Sequence, residues 1–122
     1  MITHLFAGIP VAQLDAAVAW YERLTGRPPD LVPNEQEAAW QLSDTGWIYL
    51  IADGARAGSG LSTLLVEDLD AFLAEVGARG LLAPPIEIIG EGVRRTVLSD
   101  PDGNRLQVGQ PPRESDSASP AR

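Results

Sequence analysis

Val11-Ala12-Gln13-Leu14-Asp15-Ala16 and Val66-Glu67-Asp68-Leu69-Asp70-Ala71 are two copies of one phrase within a chain of 122 residues. The Val, Leu, Asp and Ala recur in place, and Ala19 matches Ala74 further on. Each copy follows a short apolar run and opens a helical pattern. Each pattern is then followed by a glycine (Gly26, Gly80) and a double proline (Pro28-Pro29, Pro84-Pro85). So many agreements in one order mark an internal repeat, two copies of one supersecondary unit.

In the first copy Leu14, Val18, Tyr21 and Leu24 recur at helical spacing, which predicts a helix over Leu14 to Leu24. Gly26 suits its C-terminal cap and Pro28 forbids continuation. In the second copy Leu69, Phe72, Leu73 and Val76 make the buried stripe of a helix over Leu69 to Ala78. Asp68 is a good N-cap there, whereas Gln13 in the matching place caps less well. Apolar runs at His4 to Ile9 and Leu61 to Val66 read as strands preceding the helices. Ala38 to Leu42 and Trp47 to Ile51 flank the turn Ser43-Asp44-Thr45-Gly46. Arg94 to Ser99 and Arg105 to Gly109 flank Asp100-Pro101-Asp102-Gly103-Asn104, a type I turn continued by a left-handed glycine. Further strands lie near Asp30 to Val32 and Ile86 to Ile89. The fold class is therefore α+β, with two βαβββ modules over about residues 2–53 and 59–110 forming one domain over 1–110. The Pro- and Ser-rich stretch 111–122 has nothing to bury and reads as disordered.

Composition narrows the function. Hydrophobic residues make up 44% and charged residues 21%, which suits a globular core. The absence of cysteine excludes disulfides and thiolate chemistry. All basic residues are arginine, which excludes a Schiff-base lysine and a Walker-type phosphate loop. A net charge of −8 disfavours nucleic acid. No apolar run approaches the roughly 20 residues of a membrane span, and no signal peptide is apparent, so a cytoplasmic protein is expected.

The two modules, the Leu-Asp helix openings, the aromatic pair Trp20-Tyr21 and the closing Asp-Pro-Asp-Gly-Asn hairpin together resemble the vicinal oxygen chelate superfamily. That superfamily includes glyoxalase I, fosfomycin-resistance transferases, extradiol dioxygenases and bleomycin-resistance proteins. The resemblance spans about residues 2 to 110. It implies curved mixed sheets cupping a cavity, and a homodimer whose cavities draw on both chains. In metal-dependent members it also implies a divalent ion. Carried over position by position, the ion's ligands would fall on Phe6 in the first strand, Leu61 in the strand opening the second module and Gln107 in the last strand. Phe6 and Leu61 have no lone pair to give, and Gln107 is a weak neutral donor. No metal and no cofactor are therefore expected.

The remaining candidates follow from strand parity. Pairing Asp100 with Asn104 sets Val97 opposite Gln107. Arg95, Val97 and Gln107 then face the cavity, while Thr96, Leu98, Leu106 and Val108 face the helix. Arg95 either fixes an anionic or carbonyl group of a ligand or pairs with one of the many acids. Arg94 should point the other way. Trp40, Trp47 and Tyr49 are a potential stacking wall. Matching the two turns puts Trp40 and Leu50 in the cavity; requiring an apolar helix-facing side puts Gln41 and Tyr49 there instead. Trp20 lies off the helix stripe and is a candidate dimer contact. His4, the lone histidine, reads as a strand-end residue, and the turn aspartates as structural. The expected ligand-lining set is Phe6, Trp40, Tyr49, Leu61, Arg95, Val97 and Gln107. The function that follows is metal-free binding of a small organic molecule by a homodimer, as in drug sequestration. The alternatives are a glyoxalase-like lyase or isomerase, or a dioxygenase, with an unusual metal site or no metal, and a structural dimerisation module.

Overall fold

The computed structural model describes residues 1–112, so most of the stretch expected to be disordered lies outside the described residues. The elements run β1 (Leu5–Val11), α1 (Leu14–Thr25), β2 (Leu31–Asn34), β3 (Glu37–Gln41), β4 (Gly46–Ala52), β5 (Leu61–Leu65), α2 (Leu69–Ala78), β6 (Glu87–Ile89), β7 (Val93–Ser99) and β8 (Arg105–Gln110). They form two mixed four-stranded sheets of identical plan, ordered β1-β4-β3-β2 and β5-β8-β7-β6. In each, the first strand runs parallel to the last and the others are antiparallel. This is the α+β, twice-βαβββ architecture expected from the repeat. Among the described residues no helix is long and apolar enough to cross a membrane.

The first strand of each sheet lies at its edge, which is why Pro10 is tolerated in β1: its missing N–H faces no neighbouring strand. Alternate side chains of each sheet turn to the helices. Ile9, Val11, Ala38, Trp40, Ile48 and Leu50 from the first sheet join Leu98, Leu106 and Val108 from the second in one core with Tyr21, Leu24, Leu69 and Val76. Each fully buried Val, Leu or Ile side chain among these contributes roughly 1.5–3 kcal/mol. Trp20 is half-buried, packed on this core with its ring 4.8 Å from that of Tyr21.

The helix ends differ as their sequences suggest. Asp68 accepts a hydrogen bond from the Ala71 N–H at 3.0 Å, and Gln110 Oε1 accepts from the Leu69 N–H at 2.8 Å. Gln13 makes no side-chain cap. Gly26 closes α1 at φ 78°, a left-handed conformation that a side chain would strain.

The Asp100–Asn104 turn also stitches the modules together. Asp100 Oδ1 accepts from the N–H groups of Asp102 and Asn104, closing the turn. Its Oδ2 accepts from the Asn104 amide at 2.9 Å and from the Tyr21 hydroxyl, across the module boundary, at 2.8 Å. Asn104 donates to the Pro10 carbonyl at 2.7 Å and accepts from the Gly60 N–H at 2.7 Å. Asp102 accepts from the Ala12 N–H at 3.2 Å. Burial, reinforced by the Asp100 carboxylate, pushes the Tyr21 phenol far above its ordinary value.

Candidate functional site

With the helices on one face of each sheet, the other face is left open. On the first sheet β1 sets Phe6 beside Trp47 and Gly8 beside Tyr49, and β3 sets Ala39 beside Tyr49. The Phe6 and Trp47 rings stack with centroids 5.1 Å apart at 17°, and Tyr49 meets Phe6 edge-on at 6.4 Å. A Cβ on Gly8 would stand 2.8 Å from the Tyr49 hydroxyl oxygen, so the ring lies where only glycine admits it. Phe6, Leu31, Pro33, Glu37, Ala39 and Tyr49 line a shallow cavity of about 240 Å³. Phe6 remains 45% exposed, a large apolar ring left in water.

The second sheet presents a polar counterpart. Val97 and Thr63 flank Gln107 in register, and Glu87 lies beside Arg95. Arg95 Nε donates to Glu87 Oε1 at 2.7 Å, and Nη1 donates to Gln107 Oε1. The Gln107 amide then donates to Thr63 Oγ1 across a long 3.4 Å. Of the two roles weighed for Arg95, the acid pairing is present. Leu61 is 64% exposed on the same strand face as Thr63. Arg94 points the other way, as expected, and donates to Asp70 at 2.9 Å, an ion pair that raises its pKa.

The registers also relate the modules to each other. Thr63, Gln107 and Val97 in the second sheet hold the places of Gly8, Tyr49 and Ala39 in the first. Phe6 and Tyr49 come together, as do Arg95, Val97 and Gln107. No second-module side chain lines the Phe6–Tyr49 cavity.

Trp40 requires a correction. It lies fully buried under α1, its ring 6.0 Å from that of Tyr21 and its Nε1–H donating to the Arg27 carbonyl at 3.0 Å. Leu50, its companion in that alternative, is likewise in the core. Matching the turns by their glycines misleads because Gly46 occupies the place of Asn104, not of Gly103: Gln41 pairs with Trp47 as Ser99 pairs with Arg105. A slip of one residue reverses every face. The apolar-face criterion was the sound one, and it would also have placed Trp47 beside Phe6. Sequence reasoning misses Leu31, Pro33 and Glu87 because β2 and β6 are short and their registers carry no turn signal. Glu37 and Thr63 lie on β3 and β5, where they share strand parity with Ala39 and Leu61, and that parity could have found them.

The donor set does not fit a divalent metal. Phe6 and Leu61 are hydrocarbon, and among the described residues no three His, Asp or Glu side chains gather as a metal site. His4 precedes β1, is exposed, and is hydrogen-bonded to Thr3 at 2.9 Å.

Comparison with known proteins extends this picture. A family model described as Glyoxalase/Bleomycin resistance protein/Dioxygenase superfamily matches residues 2–108. The solved structure of a glyoxalase/bleomycin resistance protein from Catenulispora acidiphila DSM 44928 is 41% identical, with 89% of this chain and 98% of that one covered and a TM-score of 0.84. A bleomycin-binding protein solved with bleomycin is 22% identical over 88% of this chain and 98% of that one, with a TM-score of 0.74. A lactoylglutathione lyase from Agrobacterium tumefaciens is 19% identical over 87% and 91%, with a TM-score of 0.70. The last two identities show a shared fold alone. No curated protein matches the chain.

Proposed function

Because the chain belongs to the glyoxalase/bleomycin resistance protein/dioxygenase superfamily, we propose that it uses the open sheet faces of that fold to bind a small, largely apolar or aromatic molecule, without a metal and without turnover. The observation that carries this reading is the aromatic patch of Phe6, Trp47 and Tyr49 on an open face. A flat ligand gains stacking and apolar burial there, worth about 0.5–1.5 kcal/mol per aromatic pair beyond area.

The polar contribution comes from the second module. Glu87 holds Arg95, Arg95 holds the carbonyl end of Gln107, and the Gln107 amide is thereby directed toward Thr63. Its bond to Thr63, at 3.4 Å, is long and therefore weak, and is the one a ligand acceptor would replace. Arg95 thus serves the ligand chiefly by orienting Gln107, with Val97 and Leu61 as apolar wall. The exposed Leu31, Leu61 and Leu65 support a two-fold homodimer in which a second copy covers the open faces. The absence of donor side chains at Phe6 and Leu61 supports binding rather than metal-assisted chemistry.

The test combines calorimetry with tryptophan fluorescence, using bleomycin and the hits of a thermal-shift screen of aromatic compounds. Binding should quench Trp47, shown by loss of the quenching in Trp47→Phe, and Phe6→Ala should weaken affinity about tenfold or more. Hits that bind with unchanged affinity to both variants would overturn the reading, as would catalytic conversion of a hit on adding a divalent metal.

A further inference from the structure

In a chain this acidic, an arginine normally finds a carboxylate. Arg27, Arg56, Arg94 and Arg95 do so, pairing with Asp30, Asp53, Asp70 and Glu87. Arg23, Arg79 and Arg105 have no carboxylate partner among the described residues, and the first two lie together. Both line an open depression of about 490 Å³ formed where α1 and α2 end, with Glu22, Gly26, Arg27 and Pro28. It lies among the helix ends, away from the open sheet faces.

Arg79 is held rigidly there. Its Nε donates to the Arg23 carbonyl at 2.5 Å and its Nη2 to the Leu24 carbonyl at 3.2 Å, which satisfies two free carbonyls of the last turn of α1. The third nitrogen, Nη1, has no acceptor among the described residues. It lies against Gly26, where a Cβ would stand 3.1 Å away. The guanidinium therefore arrives with its plane fixed and one edge unspent, so little further entropy is lost on binding. Arg23 adds a second unneutralised guanidinium from the neighbouring turn. Arg27 adds a third, already paired with Asp30 and with the Gln41 carbonyl. Glu22 is the one carboxylate in the lining, so three guanidinium groups stand there against one carboxylate and the partial negative charge of the two helix C-termini, which Arg79 offsets at α1 by covering two of its carbonyls.

We propose that this depression is an oxyanion site in which Arg23 and the free edge of Arg79 grip a phosphate or carboxylate group of a small ligand. A planar fork donating parallel hydrogen bonds matches either group. The site is independent of the aromatic face and stands or falls separately.

The experiment is a nuclear magnetic resonance titration of the full chain with inorganic phosphate, and in parallel with acetate, at ionic strength held constant with chloride. Saturable shifts should appear at the amides of Gly26, Arg27 and Arg79. Arg23→Gln should weaken the affinity about tenfold or more, while Arg105→Gln on β8 should leave it unchanged. Preference for phosphate over acetate identifies the ligand as a phosphate compound, and the reverse as a carboxylate. Arg79→Lys, which keeps the charge but loses the fork, should also weaken binding. Absence of saturable shifts with both anions, or equal affinity in Arg23→Gln, would overturn the proposal.

Discussion

Removing one oxygen atom from Tyr21 tests whether its hydroxyl joins the modules energetically as well as geometrically. In Tyr21→Phe the ring keeps its place beside Trp20 and Trp40, so packing is preserved and the hydroxyl alone is lost. A hydrogen bond to a charged acceptor is worth about 1.5–3 kcal/mol. Asp100 Oδ2 retains the Asn104 amide as donor, so it is not stranded, and the lower half of that range applies. For a chain of this length each kcal/mol moves Tm by roughly 3–5 °C, so the variant should melt about 5–11 °C lower at pH 7. Alkaline pH supplies a second readout with a definite sign. The folded state holds the Tyr21 proton above the ordinary phenol value near 10. The stabilisation is thus complete below pH 10. Above it unfolding releases a proton, and stability falls by about 1.4 kcal/mol per pH unit. Tyr21→Phe should lack that component of the slope. Circular-dichroism melts and urea titrations from pH 7 to 11 measure both. A variant within about 0.5 kcal/mol of the parent at pH 7, or with the same alkaline slope, would refute the reasoning.

Three further outcomes are expected. Gly8→Ala should displace the Tyr49 ring, altering its near-ultraviolet signal and weakening ligand binding, while costing less than about 1.5 kcal/mol because the open face lets the ring move; urea unfolding separates the two effects. Asp68→Ala should lose about 1 kcal/mol by removing the α2 cap, whereas Gln13→Asp, at an extended N-cap position with no side-chain cap, should gain a few tenths to 1 kcal/mol in thermal melts. Adding zinc, nickel or manganese in excess over a chelated sample should leave Tm unchanged, since ligand binding to the native state would raise it.

Much of the fold was legible because repetition, helix periodicity and turn chemistry are local signals that agree with one another. The Asp100–Asn104 turn yielded the Val97–Gln107 pairing correctly, since its residues dictate their own register. The earlier hairpin did not, since Ser43-Asp44-Thr45-Gly46 carries a glycine in a different place and the face of Trp40 depends on a single residue of slip. Tyr21 read as one more core residue. Its bond to Asp100 joins positions far apart in the chain, and no spacing rule connects a helix tyrosine to a turn carboxylate. Arg95 shows the same limit: parity gave its face, but its Glu87 partner sits on a three-residue strand with no periodicity to read.

The stitching at the second turn bears on how this chain can be cut and rejoined. The partners of Asp100, Asp102 and Asn104 at Tyr21, Ala12 and Pro10 all lie before Gly54, an exposed residue with open space around it, while the turn itself lies after. Noncovalent contacts as well as the covalent link therefore join the halves in register. Two fragments divided at Gly54 carry complementary surfaces, a shared core and a hydrogen-bonded latch, which are the ingredients of a split reporter that reassembles when its halves are brought near each other.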